Sequence, residues 1–335
     1  MTDKKETILV TGGAGYIGSQ VVLDLNRVGY KVVILDNFST GNQAVLNNLD
    51  AVFFEGSTAD DQILTKIFFA HKIDAVMHFA AFTQVGESVK KPLLYYQNNV
   101  AATLTLLKVM QDFEVNNLIF SSTAAVYGLP KSVPVKEDAE LIPINPYGAS
   151  KRIVEQVLSD LRTSSNFRSV IFRYFNAAGA DESGLIGERH DPETHLVPLA
   201  LMAAAKGTEL QIFGNDYDTS DGTCIRDYVH VADISAAHLL GLQHLLSGGV
   251  GGIYNIGGGS GYSVNEVITT VEAVVGKKIK TKIVPRRAGD PALLVASSDR
   301  LNQELNWSPK YTKLEDIVSS AWNWMESLIS PHLPK

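Results

Sequence analysis

Tyr147 and Lys151 stand four residues apart in Tyr147-Gly-Ala-Ser-Lys151, a spacing that puts both side chains on one face of a helix. An ammonium beside a phenol favours the phenolate, so the tyrosine pKa is expected below its ordinary value. Such a phenolate can act as a general base on an alcohol near neutral pH. Thr123 follows the apolar run 118–121 and offers a hydroxyl to the same substrate oxygen. By itself a Tyr-x-x-x-Lys pair is common and reads as a surface contact; its surroundings decide.

Those surroundings include a cofactor turn. Ile8-Leu9-Val10 is an apolar run, followed by Thr11-Gly12-Gly13-Ala14-Gly15-Tyr16-Ile17-Gly18, a helix-like segment over 19–28 and a second apolar run, 32–35, ending at Asp36. Strand, glycine turn, helix, strand and acid within about 30 residues make one βαβ unit. Gly13-x-Gly15-x-x-Gly18 fits the dinucleotide fingerprint, and Gly12-x-x-Gly15-x-x-Gly18 is a second reading of the same glycines. Glycines let the backbone approach a pyrophosphate, and the helix N-terminus presents N–H groups to the anion. Asp36 can accept hydrogen bonds from an adenosine ribose and would repel a 2′-phosphate, so NAD is favoured over NADP. A cationic nicotinamide beside Tyr147 would lower its pKa further.

These groups need a sheet to position them. Further strands are predicted at 52–54, 74–79, 118–121 and 170–173, with helices over 60–70, 98–112 and 146–161 between them. Continuous apolar strands joined by helices mean a parallel sheet covered on both faces. Ligands then sit beyond the carboxyl ends of the strands. Those ends read His78-Phe79-Ala80-Ala81, Ser121-Ser122-Thr123 and Tyr174-Phe175-Asn176. After Asn176 the rhythm changes. A polar loop or lid is predicted over 182–193, helices over 196–206, 231–246, 263–275 and 314–328, and short strands at 210–213 and 253–256. Ser263, with Glu266 three residues on, is a candidate N-cap. The expected fold is α/β, a Rossmann-type doubly wound parallel sheet with a smaller α/β substrate-binding domain. The first domain is expected over 1–176, with 229–257 returning to it, and the second mainly over 177–335.

At 335 residues the chain can bury a large core. Its hydrophobic content of 45% and charged content of 19% describe an ordinary globule, and a net charge of −7 argues against wholesale nucleic-acid binding. Cys224 is the only cysteine, so no internal disulfide can form and a reducing cytoplasm is the expected setting. No secretory leader is expected at the N-terminus and no membrane span anywhere.

The chain resembles the extended short-chain dehydrogenase/reductase superfamily and, within it, the UDP-glucose 4-epimerase family. The motifs that carry the resemblance run along nearly the whole chain: the glycine turn 11–18, Asp36-Asn37, His78-Phe79-Ala80-Ala81, Val85-Gly86-Glu87-Ser88, Tyr95-Tyr96-Gln97-Asn98-Asn99, Tyr147-x-x-x-Lys151 and Arg173-Tyr174-Phe175-Asn176. Later matches are Pro192-Glu193-Thr194-His195-Leu196, Phe213-Gly214-Asn215-Asp216-Tyr217, Arg226-Asp227-Tyr228 and Arg286-Arg287-Ala288-Gly289-Asp290. The resemblance implies reversible 4-epimerisation of UDP-glucose and UDP-galactose, with hydride passing from C4 to tightly held NAD and back through a 4-keto sugar. Tyr147 would be the base, and Lys151 would also bond the nicotinamide ribose.

By the same resemblance Tyr16, Ile17, Asp36, Asn37, Phe38, Ser39, Thr40, Gly41, Phe79, Ala80, Ala81, Asn98, Lys151 and Phe175 line the cofactor, with Ser57, Thr58 and Thr83 beside it. Arg226 and Arg287 would clamp the diphosphate, which suits guanidinium geometry. Phe213 would stack near uracil, with Leu196 and Gln211 at its edge, while Asn176, Asp290, His195 and Leu294 complete the substrate side. A homodimer packed through 98–112 and 146–161 is implied as well.

Some positions depart from the family pattern. Ser57 stands where many members carry an adenine-bonding aspartate, Thr83 where some carry lysine, Thr123 where others have serine and His195 where some have asparagine. No ligand cluster is expected around His195, so no metal is expected there. Leu294 lies where some members have tyrosine, and room for a 2-acetamido group is one expectation. A 4-epimerase of another UDP-sugar, N-acetylglucosamine or glucuronate, is the alternative. A 4,6-dehydratase would want Asp-Glu where this chain has Ala124-Ala125. A non-catalytic NAD sensor would not need Thr123, Tyr147 and Lys151 together.

Overall fold

Ile8 and Val10 turn to one side of strand β1 (Thr7–Thr11) and Leu9 to the other, each into a separate apolar cluster. That two-sided burial is what a central parallel strand requires. The computed structural model describes residues 6–287 and 289–329. Ala288, part of the 286–290 motif, and residues 1–5, on which the expectation of no leader bears, lie outside them.

After β1 come α1 (Tyr16–Val28), β2 (Lys31–Asp36), β3 (Val52–Glu55), α2 (Asp61–Ala70), β4 (Ala75–His78), α3 (Val85–Lys90), α4 (Pro92–Tyr95), α5 (Ala102–Asp112), β5 (Asn117–Thr123), α6 (Pro146–Ser164) and β6 (Arg168–Tyr174). The chain continues as β7 (Asn176–Ala178), α7 (Leu196–Lys206), β8 (Glu209–Phe213), β9 (Ile225–His230), α8 (Val231–Leu246) and β10 (Gly251–Ile256). It ends with β11 (Gly261–Ser263), α9 (Val264–Val275), β12 (Lys280–Val284), β13 (Leu293–Leu294), α10 (Asp299–Leu305) and α11 (Leu314–Ile329).

Seven strands form one sheet in the order β3-β2-β1-β4-β5-β6-β10, and every pair is parallel. One face carries Val21, Val22 and Leu25 of α1 with Ile234, Leu242 and Leu245 of α8. The other carries Leu64 and Ile67 of α2, Leu106 and Met110 of α5, and Val154 and Leu158 of α6. This is the expected doubly wound architecture. β10 pairs with β6 from Gly251 against Ser169 to Ile256 against Tyr174.

The remaining strands make two small sheets. β9 lies at the centre of one, parallel to β7 and β13 and antiparallel to β11, and β8 pairs with β12 in the other. Helices α7, α9 and α11 pack over them through Leu201, Val267, Val271 and Ile317. Ser263 caps α9 as expected. Its Oγ accepts the Glu266 N–H at 3.1 Å, and the Glu266 carboxylate accepts the Ser263 N–H at 2.7 Å.

The short elements α3, α4, β7, β11 and β13 were not predicted, and two further stretches differ from the sequence reading. The helix predicted over 98–112 begins as a π-helical turn, Tyr96–Ala101, and only then becomes α5. Asn99 explains the wider turn: its amide pairs with the Phe82 backbone N–H and C=O at 2.9 Å each and with Ser150 at 3.1 Å. Strand β9 was not predicted, because Arg226 and Asp227 interrupt its apolar pattern. Among the described residues no helix is long and apolar enough to cross a membrane.

Candidate active site

The glycine turn between β1 and α1 is built by contact, not only by flexibility. Gly12 has φ +75, and a Cβ there would lie 2.6 Å from the Ala80 nitrogen; a Cβ on Gly18 would lie 2.2 Å from the Gly12 carbonyl oxygen. Gly15 N-caps α1 and no side chain caps it, so the first-turn N–H groups stay free to meet an anion. The fingerprint is therefore Gly12, Gly15 and Gly18; Gly13 instead faces the Ile34 side chain.

Asp36 ends β2 almost buried. Its carboxylate accepts the Ala14 N–H at 2.9 Å and the Phe38 N–H at 2.8 Å, which ties the glycine turn to the loop holding Asn37, Ser39, Thr40 and Gly41. Burial raises its pKa against those hydrogen bonds. Each oxygen keeps a lone pair for a ribose hydroxyl. The Phe38 ring packs on Phe53, with centroids 5.2 Å apart. Ser57 uses its hydroxyl to accept the Ala59 N–H, and Thr58 is buried. The Phe79 and Ala80 N–H groups both donate to the Thr11 carbonyl, so the β4 end is fastened to the β1 end. These are features that fit a dinucleotide: a bare backbone turn at a helix N-terminus and a carboxylate at the next strand end.

The Tyr147 phenol lies on the first turn of α6, capped by Asn145, whose side chain accepts the Gly148 N–H at 2.8 Å. Thr123 stands at the end of β5 and accepts the Ala125 N–H at 3.1 Å. The expected fall in the Tyr147 pKa is corrected here. Burial raises it to about 12, and the neighbouring Thr123 hydroxyl only partly opposes that. Lys151 donates to the Ser121 carbonyl at 2.7 Å, and burial lowers its pKa to about 7.

Behind Lys151 lies a polar network absent from the sequence reading. Glu155, fully buried, accepts from Ser122 Oγ at 2.5 Å and from Arg173 at 2.7 and 3.0 Å. Arg173 donates on to Tyr127 Oη at 2.9 Å, which donates to Asn255 at 2.7 Å. The i, i+4 step from Lys151 to Glu155 was the available signal. His78 is a structural group: Thr11 and Thr103 hold its two nitrogens at 2.6 and 2.8 Å, and burial lowers its pKa to about 3.

On the other side of the site, Arg226 donates to the Pro291 carbonyl at 2.8 Å and lies 3.4 Å from Asp290. The Arg287 guanidinium covers the Phe213 ring at 3.9 Å. Asn176 donates to the Asp227 carbonyl at 2.9 Å. Asp227 is wholly buried and accepts the N–H groups of Gly258, Gly259 and Ala296 at 2.6, 3.2 and 2.9 Å; burial raises its pKa to about 6. Gln211 is exposed on β8, Leu196 opens α7, Leu294 lies half-buried on β13, and Phe175 is buried beside Val126 and Ala296.

The expectation of no ligand cluster around His195 is also corrected. Its Nδ1 lies 2.5 Å from Glu188 and 3.5 Å from Glu193, with His190 beside them. The Glu-x-His-x-x-Glu-x-His spacing was legible, but 182–193 was read as a polar loop and His195 as a residue of the substrate side.

A model of the NAD dependent epimerase/dehydratase family matches residues 8–257. UDP-glucose 4-epimerase of Halalkalibacterium halodurans is 50% identical over 318 residues, covering 95% of each chain. A crystal structure of the Bifidobacterium longum UDP-glucose 4-epimerase with NAD+ and UDP superposes with TM-score 0.92 at 39% identity, over 97% of this chain and 99% of that one. The UDP-Glc/GlcNAc 4-epimerase of Campylobacter jejuni superposes with TM-score 0.82 at 42% identity, over 96% of this chain and 99% of that one. With the cofactor turn, the Thr123–Tyr147–Lys151 constellation and these likenesses together, the chain belongs to the NAD-dependent epimerase/dehydratase family and, within it, to the UDP-glucose 4-epimerases.

Proposed function

We propose that this chain interconverts UDP-glucose and UDP-galactose at C4 with NAD as a resident cofactor. The observation that carries the reading is the meeting of Thr123 at the end of β5 with Tyr147 on the first turn of α6, in the sheet that bears the glycine turn. When bound, NAD supplies a hydride acceptor and donor at C4 and a positive charge beside the phenol. The chain does the rest. Gly12, Gly15, Gly18 and the α1 N-terminus bind the pyrophosphate, and Asp36 binds the adenosine ribose. Tyr147 takes the proton from the 4-hydroxyl and returns it to the 4-keto oxygen, while Thr123 holds that oxygen. Lys151 holds the nicotinamide ribose and adds charge near the phenol.

Arg226 and Arg287 bind the diphosphate, Phe213 stacks on uracil, and Asn176 and Asp290 contact the phosphates or the hydroxyls of the nucleotide sugar. Two domains divide the work, 1–176 with 229–257 for NAD and mainly 177–335 for the nucleotide sugar. A cytoplasmic homodimer is part of the proposal. The exposed apolar side chains Leu104 of α5 and Ile153 of α6 support the pairing surface, and the lone thiol Cys224 suits a reducing compartment.

A second reading, turnover of UDP-N-acetylglucosamine, rests on Leu294, a side chain smaller than tyrosine on β13. The test is incubation of the purified enzyme with UDP-glucose, UDP-galactose and UDP-N-acetylglucosamine, with products separated by chromatography. Interconversion of the first two is expected. No conversion of UDP-glucose overturns the main reading, and no conversion of the acetamido sugar overturns the second.

A further inference from the structure

We infer that Glu188, His190, Glu193 and His195 bind one divalent transition-metal ion of the zinc class, which takes no part in the proton and hydride steps and which engages His195 in place of the substrate-side role that the family resemblance implied. All four belong to one eight-residue segment, and their ligand atoms lie within 4.8 Å of one another. His190 Nδ1 stands 3.3 Å from Glu188 and 3.6 Å from Glu193, and His195 Nδ1 stands 3.5 Å from Glu193 and 2.5 Å from Glu188. A tetrahedral ion with bonds of about 2.0–2.1 Å keeps its ligands about 3.3–3.4 Å apart. Of the four His–Glu separations three lie within about 0.3 Å of that value and the fourth must open by less than about 1 Å, while the two remaining separations are no longer than 4.8 Å.

Charge and burial favour an ion. The Glu188 and Glu193 side chains are 7% and 8% exposed, while those of His190 and His195, at 25% and 53%, leave the cluster open to an ion from solvent. Among the described residues neither carboxylate pairs with a lysine or arginine. Two buried negative charges need compensation, and one divalent cation with two neutral imidazoles makes the cluster neutral. His190 Nδ1 is buried with no hydrogen-bond partner although both carboxylates surround it, an arrangement that a coordinate bond would satisfy. Imidazole and carboxylate together select zinc or its neighbours over magnesium and calcium.

The cluster is also braced. Glu193 accepts the Thr194 and His195 N–H groups at 2.7 and 3.0 Å, and Trp324 donates to the Glu188 carbonyl at 3.3 Å. The His190 ring meets Tyr16 of the glycine turn edge-on, with centroids 6.4 Å apart. An ion here would hold the segment entering α7 in one conformation, with the His190 ring against Tyr16, so its role is structural. Two protons shared between the imidazoles and carboxylates are the competing way to hold the same four groups.

The deciding experiment uses tag-free, NAD-loaded enzyme, stripped with a chelator and titrated with Co²⁺. Visible absorption and isothermal calorimetry are read, followed by displacement with Zn²⁺. The expected result is one Co²⁺ per chain with the intense bands of a four-coordinate N/O site, displaced by Zn²⁺. His190→Asn and Glu193→Gln, each with an unchanged far-ultraviolet circular dichroism spectrum, should weaken binding about tenfold or more. If His190→Asn does not fold, the wild-type stoichiometry and Glu193→Gln decide. Absence of saturable binding, weak six-coordinate bands, or equal affinity in a folded variant overturns the site and leaves the shared protons as its occupant.

Discussion

The Lys151 ammonium donates to the Ser121 main-chain carbonyl at 2.7 Å, not to the Tyr147 hydroxyl. It also lies 4.8 Å from the Phe120 ring centre. Strand β5 therefore fixes the amine, and Thr123 is the group that moderates the buried phenol. With the phenol at about 12 in the chain alone, burial outweighs any pull from lysine. On the proposed reading, the positive charge of bound NAD joins that of Lys151 in bringing the phenol of Tyr147 down toward neutral pH.

Tyr147→Phe removes the proton acceptor and leaves the glycine turn intact. The variant should retain bound NAD, and kcat should fall by about 10²–10⁴-fold. A coupled assay of UDP-galactose conversion, with NAD content measured after denaturation, checks both parts. Wild-type turnover in the variant would refute the assigned base.

Lys151 has a folded pKa of about 7 against an ordinary 10.5. Below about pH 7 both folded and unfolded chains hold this proton, and the burial cost is full. Between those values the unfolded chain binds more protons, so stability rises with pH. The melting temperature of cofactor-stripped wild type should thus climb from pH 7 to 9.5 relative to Lys151→Met. Parallel curves for the two proteins would show that the amine is not desolvated.

Gly18→Ala forces a methyl group to within 2.2 Å of the Gly12 carbonyl oxygen, which is backbone and cannot step aside. Overpacking of this kind costs about 1–3 kcal/mol, or roughly 5–150-fold in an equilibrium. Its effect should fall on the cofactor, with NAD lost on gel filtration. Stoichiometric NAD in the variant would count against the turn as its binding site.

Glu155→Gln leaves Arg173, 1% exposed, facing a neutral amide. Breaking one side of such a pair costs about 3–5 kcal/mol. Urea unfolding should show the loss as a lower midpoint at unchanged slope. A midpoint within error of wild type would mean that the charge is compensated elsewhere in the network.

The large sheet was legible because its strands are buried on both faces and its helices cross between them, as Ile8, Leu9 and Val10 show in three consecutive residues. Tyr147, Lys151 and Thr123 were legible because strand ends and helix starts are marked locally. What stayed hidden depends on partners far away in the chain. Asp227 reads as a strand breaker, yet sits in β9 because Gly258, Gly259 and Ala296 satisfy its carboxylate. Asn99 reads as an ordinary helical residue, yet bonds to Phe82 and Ser150 widen its turn. Glu188 and Glu193 read as solvated charges of a loop, and only the fold brings them against two imidazoles.

The pairing of β10 with β6 has a consequence for synthesis on the ribosome. When Tyr174 has emerged, the strand that will cover its outer edge, ending at Ile256, has not yet been translated. The nascent chain must carry an unpaired, apolar border through the making of β7, α7, β8, β9 and α8, the stage at which edge-to-edge association threatens. A polypeptide stopped at Asn176 should therefore be a substrate for chaperones and not a free-standing nucleotide binder.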